Sequence, residues 1–283
     1  MQLIPRISGV TEATFLAEYV RANLPVIVTD AMDDWRQPGR WTPDHLRRKV
    51  GGMEVQVYDD LFTLVDLENL ADYLDRNFDQ PDDTVATEYV RAYVRFKDVD
   101  FTWADRLFDA LAAEWDHPYF FPRSGFVLPR SDPSTLISPV TDLFPYKGLF
   151  ISGRGARTRL HRDPFLTEAV LCQFHGEKRV VFYAPQHADA LMRDGAFVDP
   201  DAVDRTSFPR FDDARPAYDD VLRPGEILFI PSGWFHDVRT LSDSISITWN
   251  FVHEVSAERF RNAVQDPRND FDRDVLAYLG GIA

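Results

Sequence analysis

The chain has little cysteine and little lysine. Its 283 residues include one cysteine, Cys172, which excludes an intramolecular disulfide and cysteine-rich zinc or iron–sulfur sites within one chain. Of its 31 basic residues only four are lysines, namely Lys49, Lys97, Lys147 and Lys178. Arginine is therefore the usual source of positive charge, and a lysine at a structured position stands out.

Long apolar runs are also missing. No stretch of about 18 uninterrupted apolar residues occurs, which argues against a membrane span. The start of the chain lacks a basic segment followed by an apolar run, so we expect a cytoplasmic protein without a signal peptide. The 46 acidic against 31 basic residues give a net charge of −15, which disfavours nucleic acid and anionic membranes and favours a cationic substrate. The same charge equally fits a role in solubility alone.

The order of predicted elements favours a mainly β protein with flanking helices. Apolar spacing predicts helices over 12–23, from Thr42, and over 66–77, 102–114, 256–265 and 270–279. Strands are predicted over 25–29, 53–58, 147–152, 167–175, 178–184, 226–231, 235–240 and 244–252, with a hairpin turn at Gly176-Glu177. Many short strands without regular helical crossovers indicate an antiparallel sandwich or barrel.

An acidic segment, residues 193–224, interrupts this pattern. It holds seven aspartates that we single out: Asp199, Asp201, Asp204, Asp212, Asp213, Asp219 and Asp220. The segment is too polar for a core and is predicted to be a long surface excursion. Such a loop would suit a basic side chain or peptide as substrate.

Two histidines and one aspartate are the strongest candidates for a metal site. In an extended segment, His161 and Asp163 project to the same face, and His236 opens a later predicted strand. Two histidines with one carboxylate form the facial triad of non-haem Fe(II) oxygenases. Taken singly, each residue equally fits a structural role. Lys178 opens an apolar strand, where a compact positive charge would suit the inside of a barrel.

The motifs resemble those of the JmjC, or cupin-like, Fe(II)/2-oxoglutarate oxygenases, and especially the small asparaginyl and arginyl hydroxylases. The family pattern T-x-x-H-x-D corresponds to Thr158–Asp163, and G-x-K corresponds to Gly176–Lys178. The pattern P-G-[DE]-x-[LV]-[FY]-I-P-x-x-[WY]-[WF]-H corresponds to Pro224–His236, and the final strand to Ser244–Phe251. The resemblance covers about 145–252 and continues more loosely toward the N-terminus.

The resemblance implies a double-stranded β-helix (jelly-roll, cupin) core and a role for each motif residue. His161, Asp163 and His236 would bind Fe(II), while Thr158 and Lys178 would hold the distal carboxylate of 2-oxoglutarate, with O₂ as the second cosubstrate. Asn250 matches a position that supports 2-oxoglutarate in some members, and Tyr93 loosely matches a tyrosine that reaches the same carboxylate. Members often carry an Asn shortly after H-x-D, where this chain has Thr167 or Ala169.

We therefore expect a hydroxylase of an amino-acid side chain in a peptide or protein, with a preference for Arg or Lys. A tailoring hydroxylase of a small metabolite and a non-catalytic cupin-like binding module stay open as alternatives. One domain is expected over 1–283, with an N-terminal α/β part (1–124), a jelly-roll core (125–252) and C-terminal helices (253–283). The C-terminal helices are a candidate homodimer interface.

Overall fold

A computed structural model gives the fold of the chain. It describes residues 1–265 with the exception of residues 36, 38, 82–83, 94–102, 129–146 and 164–165. The predicted helix over 270–279 lies outside the described residues. Among the described helices, none combines the length and apolar character that a membrane span requires.

Strands dominate the described chain. They are β1 (Arg6–Ile7), β2 (Val26–Val28), β3 (Glu54–Tyr58), β4 (Leu64–Asn69), β5 (Tyr89–Tyr93), β6 (Phe126–Leu128), β7 (Lys147–Ser152), β8 (Arg157–His161), β9 (Glu168–His175), β10 (Lys178–Tyr183), β11 (Met192–Arg193), β12 (Ala196–Phe197), β13 (Tyr218–Leu222), β14 (Ile227–Ile230), β15 (Phe235–Thr240) and β16 (Ser244–His253). A major sheet has the order β1-β2-β14-β9-β16-β7-β5-β3-β4, with β6 paired to β16, and a minor sheet has the order β13-β10-β15-β8. The two sheets form the jelly-roll core, which confirms the predicted fold class.

The helices lie outside this core. They are α1 (Glu12–Thr14), which continues as a π-helix over Phe15–Val20, α2 (Pro43–Val50), α3 (Leu70–Asn77), α4 (Trp103–Leu111), α5 (Ala188–Leu191) and α6 (Ala257–Gln265). Helix α2 begins as predicted, because the Thr42 hydroxyl accepts a hydrogen bond from the backbone N–H of His45 and Pro43 occupies the first turn.

Strand β16 shows how the sequence builds both the core and the pocket. Its apolar residues Ile245, Ile247, Trp249 and Phe251 belong to the largest core cluster, which also holds α2 and α3 side chains. Its alternate residues are polar and buried: Ser244, Ser246, Thr248 and Asn250. Because successive side chains of a strand point to opposite faces, the polar set faces the interior between the two sheets.

Cys172 lies on the apolar face of β9. The residue is fully buried in the same core cluster and is the free cysteine of the chain. Burial raises the pKa of its thiol well above the ordinary value. Its environment is therefore that of a small packing residue rather than a reactive one.

Three predictions of local structure are wrong. The helix predicted over 66–77 starts at Leu70, because the residues before it form strand β4 against β3. Gly176-Glu177 is a turn between sheets rather than a hairpin, because β9 pairs with β14 and β16, whereas β10 pairs with β13 and β15. The acidic segment is not a surface excursion throughout, since its end forms β13 alongside β10.

Candidate metal centre and its pocket

A pocket of about 570 Å³ opens between the two sheets. The minor sheet contributes Thr158, His161, Lys178, His236 and Val238, and the major sheet contributes Arg91, Phe150, Ala169, Leu171, Ile230, Thr248 and Asn250, with Asp163 and Phe62 from loops. The pocket therefore holds every predicted site residue whose side chain is described. It combines apolar walls with a few convergent polar groups, which is typical of small-molecule sites.

His161, Asp163 and His236 converge at one wall of this pocket. The antiparallel pairing of β8 with β15 sets His161 directly opposite His236, and their ring centroids lie 4.2 Å apart. Asp163 follows β8 by two residues, and its Oδ1 lies 3.9 Å from Nε2 of His236. One ligand atom from each residue lies within 4.8 Å of the others, so the three side chains could hold a metal ion together.

Both histidines are set up to offer Nε2 to a metal. Nδ1 of His161 lies 2.8 Å from the carbonyl oxygen of Arg159, and Nδ1 of His236 lies 3.1 Å from that of Trp234. Because a carbonyl only accepts, each Nδ1 carries the proton and each Nε2 keeps its lone pair. Burial and the neighbouring His236 lower the pKa of His161 well below its ordinary value, which keeps the ring neutral as metal binding requires.

Asp163 supplies the acidic member of the cluster. Its Oδ2 is buried and has no hydrogen-bond partner among the described residues. Burial raises the pKa of its carboxyl group, while His236, Arg91 and a hydrogen bond from Asn250 act in the opposite direction. A buried carboxylate oxygen without a partner is costly, and a divalent cation would compensate it. The donor set therefore fits a metal such as Fe(II).

Lys178 lies in the same pocket without a carboxylate partner. The residue is 5% exposed, and its Nζ donates a 2.9 Å hydrogen bond to Ser246 Oγ and lies 5.7 Å from the centroid of the Phe150 ring. No described carboxylate forms an ion pair with it. Burial lowers the pKa of Lys178 to about 7. An ammonium in such a position gains most from an anionic ligand.

The other predicted residues fall in two groups. Thr158 lies near Lys178, since both line the pocket and a small extension of it. Asn250 also lines the pocket, where its amide donates to Thr167 Oγ1 and acts to lower the pKa of the nearby Asp163 carboxyl group. The side chain of Tyr93 lies outside what the structure describes.

Sequence reasoning missed Tyr89 and Arg91, which lie two residues apart on β5 and therefore on one face of it. Tyr89 lines the extension of the pocket with Thr158 and Lys178, and Arg91 lines the pocket beside the metal cluster. The pairing of β5 with β7 brings both residues to the pocket. Because this pairing joins residues about 60 positions apart, a local sequence pattern does not reveal it. The alternation of polar residues in Tyr89-Val90-Arg91-Ala92-Tyr93 is the one sequence signal that could have indicated their shared face.

The aspartates of the acidic segment bind arginines of their own chain. Every one of the seven except Asp204 has such a partner. The pairs are Arg157 with Asp199 and Asp201, Arg239 with Asp201, Arg205 with Asp212, Arg210 with Asp213, Arg179 with Asp219 and Arg6 with Asp220. Asp204 accepts hydrogen bonds from Thr206 and Ser207. The segment therefore lends little support to a cationic substrate.

The jelly roll and the site together correspond to a known family. The family model "Cupin-like domain" matches residues 12–257, and the chain belongs to that family. The chain is 25% identical over 270 residues to "Arginine-specific demethylase JMJ20" of Arabidopsis thaliana, a match that covers 88% of this chain and 57% of the relative. It is 23% identical over 270 residues to "2-oxoglutarate and iron-dependent oxygenase JMJD4" of Gallus gallus, with 89% and 60% covered.

A third relative is shorter. The chain is 26% identical over 270 residues to "tRNA wybutosine-synthesizing protein 5" of Homo sapiens, which covers 88% of this chain and 78% of the relative. The chain spans less than two thirds of the length of the first two relatives. These names confirm the resemblance to JmjC oxygenases.

Proposed function

We propose that the protein is an Fe(II)- and 2-oxoglutarate-dependent hydroxylase. The observation that carries this proposal is the pairing, in one pocket, of a cluster of two histidines and an aspartate with a buried lysine that has no described carboxylate partner. The first group fits a divalent metal and the second fits a carboxylate. The name of the JMJD4 relative, "2-oxoglutarate and iron-dependent oxygenase", supports the same combination.

Each end of the pocket has a distinct task in this proposal. His161, Asp163 and His236 would hold the iron, which supplies the activation of O₂ for oxidation of a C–H bond when 2-oxoglutarate is bound. Lys178 would bind the distal carboxylate of 2-oxoglutarate, with hydroxyl donors from Thr158 and Tyr89 in the adjoining extension. Asn250, which lines the pocket with Asp163, would help to orient that carboxylate.

For the substrate, we propose an amino-acid side chain in a peptide or protein. The relative that is named an arginine-specific demethylase supports a protein substrate, although it is a longer protein than the match covers. A tailoring hydroxylase of a small metabolite stays the alternative enzyme. The preference for a basic side chain rested on the net charge of −15 and on the acidic segment, and the ion pairs of that segment weaken it.

The test adds Fe(II) and 2-oxoglutarate to the protein without oxygen and records the charge-transfer absorption band. We expect a band in the wild type and succinate after oxygen is admitted. His161→Ala removes one imidazole from the cluster and should abolish both signals. The matched control is His187→Ala, which removes a histidine of a short 3₁₀ helix outside the pocket and should leave both unchanged.

A wild type without the band, or a band of full strength in His161→Ala, would refute the proposal. The band without oxygen-dependent succinate would instead support a binding module that retains metal and cosubstrate but lacks turnover. Mass spectrometry of a peptide library after turnover then separates a peptide substrate from a metabolite through the gain of one oxygen atom.

Four properties of the whole protein remain proposals from the sequence. They are a cytoplasmic location, one domain over 1–283, the absence of a nucleic-acid partner, and a homodimer through the C-terminal helices. Helix α6 (Ala257–Gln265) is the described part of that interface. Light scattering of the wild type and of a chain that ends after α6 would test the dimer.

A further inference from the structure

Arg91 brings a guanidinium to the wall of the pocket beside the metal cluster. It lies on β5 opposite Phe150 of β7, and it lines the same pocket as His161, Asp163 and His236. None of the roles that we propose for the metal or for 2-oxoglutarate uses this residue.

Aromatic rings hold the guanidinium in place. Cζ of Arg91 lies 4.3 Å from the centroid of the Phe62 ring and 5.7 Å from that of Tyr58. The Phe62 ring in turn meets the His161 ring edge to face, at a centroid distance of 5.0 Å. Stacking on aromatic faces fixes the plane of an arginine, and the rings do not cover the edge that carries its N–H groups.

The backbone at Phe62, which holds this ring in place, is strained. Its φ of 69° is in the left-handed region, which is costly for a bulky residue and tends to occur at functional sites. Hydrogen bonds hold the backbone on both sides of Phe62. The Asp59 carboxylate accepts hydrogen bonds from the backbone of Leu61 and Thr63, and Arg159 forms an ion pair with Asp60.

Lys178 and Arg91 both line the pocket, and Lys178 also lines its small extension. The extension is lined by Tyr89, Thr158 and Ser152 among others, and Arg91 is not among its described lining residues. Arg91 lies instead beside Phe62 and the metal cluster, where the substrate must bring the C–H bond that is oxidised.

We propose that Arg91 determines specificity by binding a carboxylate of the substrate next to the oxidised carbon. This inference rests on the proposed function and narrows it to acidic substrates, such as an Asp or Glu side chain or a free α-carboxylate. A planar guanidinium matches a carboxylate with two parallel hydrogen bonds, which needs only some of its five N–H donors. A basic side chain in the same place would meet a like charge in a poorly solvated site.

The test uses two fluorinated probes that differ in charge, namely trifluoroacetate and trifluoroacetamide. The protein is loaded with paramagnetic Mn(II) in place of Fe(II) and saturated with 2-oxoglutarate, and binding of both is recorded first. ¹⁹F relaxation then reports each probe near the metal. In the wild type we expect strong relaxation of the acid and little of the amide.

The variants separate Arg91 from other sources of binding. Arg91→Gln should weaken acid binding by at least about tenfold, as expected for loss of a charge-assisted hydrogen bond. Arg91→Lys keeps the charge and should retain part of the binding, which also guards against a folding defect in the glutamine variant. Arg48→Gln removes the same charge from an exposed position on α2 and should change nothing.

Three results would overturn the inference. They are equal relaxation of acid and amide in the wild type, acid-selective relaxation that survives Arg91→Gln, and a loss of 2-oxoglutarate affinity in Arg91→Gln as large as in Lys178→Met. The last would assign Arg91 to the cosubstrate. Failure to bind Mn(II) and 2-oxoglutarate at the outset would instead refute the proposed function itself, and the inference with it.

Discussion

The guanidinium of Arg6 meets two carboxylates of its own chain, whereas the more deeply buried ammonium of Lys178 meets none among the described residues. Arg6 lies 2.6 Å from Asp220 of β13 and 2.8 Å from Glu226, which precedes β14, so it joins the minor sheet to the major sheet. Lys178 has one hydroxyl and one aromatic ring as neighbours. The first site is complete as folded, and the second is organised for a ligand. A buried charge that the fold leaves without a counter-charge therefore indicates a ligand site, whereas a paired one indicates a structural role.

The largest effect should come from removing the ammonium of Lys178. We expect Lys178→Met to raise the dissociation constant for 2-oxoglutarate by about a hundredfold, since a charge-assisted interaction with a carboxylate is lost. The unliganded variant should be at least as stable as the wild type, because a buried charge without a partner has been removed. Calorimetric titration of the Mn(II)-loaded protein and urea unfolding measure the two quantities. Unchanged affinity together with clear destabilisation would make Lys178 a structural residue.

Removal of the Arg6 guanidinium should lower the stability of the protein and leave its affinity for 2-oxoglutarate unchanged. Arg6→Met leaves Asp220 and Glu226 without their cation, and we expect the free energy of unfolding to fall by about 2 kcal/mol, less than for a fully buried pair because Arg6 is partly exposed. The affinity for 2-oxoglutarate should stay the same. Arg205→Met breaks the exposed pair with Asp212 and should change stability by less than about 1 kcal/mol. Equal effects of the two variants would contradict the comparison.

The last effect concerns pH and follows from the pKa of Lys178, which burial lowers from 10.5 to about 7 in the fold. Between these values the unfolded chain holds a proton that the folded lysine has lost, so stability should rise with pH through this window. Binding of 2-oxoglutarate needs the ammonium, so its affinity should fall above pH 7 by up to about tenfold per pH unit. Both trends are measured as the difference between the wild type and Lys178→Met. Parallel pH profiles in the two proteins would contradict them.

The metal cluster and the lysine could be predicted from sequence because they lie in short motifs. His161 and Asp163 are two residues apart, and His236 and Lys178 each follow a recognisable turn, so strand periodicity and motif order suffice to bring them together. Tyr89 and Arg91 could not be found in this way. Their strand reaches the pocket only through its pairing with β7, which local patterns do not encode.

Two of the three wrong local predictions have a common physical cause. Leu67 is an exposed apolar residue of the edge strand β4, and its spacing to Leu70 and Leu74 imitates a helical stripe that runs into α3. The aspartates of 193–224 indicated solvent, yet Asp220 is buried because Arg6, more than 200 residues earlier, compensates it. In both cases the deciding contact is distant in the sequence.

Because Cys172 is buried, the accessibility of its thiol reports how often the core around it opens. Its side chain lies in the core cluster between the major sheet and the helices that pack on it, so a thiol reagent reaches the sulfur only when this packing separates. Since the chain has no other cysteine, the labelling rate in native buffer measures the free energy of that separation directly, without any substitution. Metal and cosubstrate that bind between the sheets should slow this labelling, which provides a binding assay that needs neither turnover nor a known substrate.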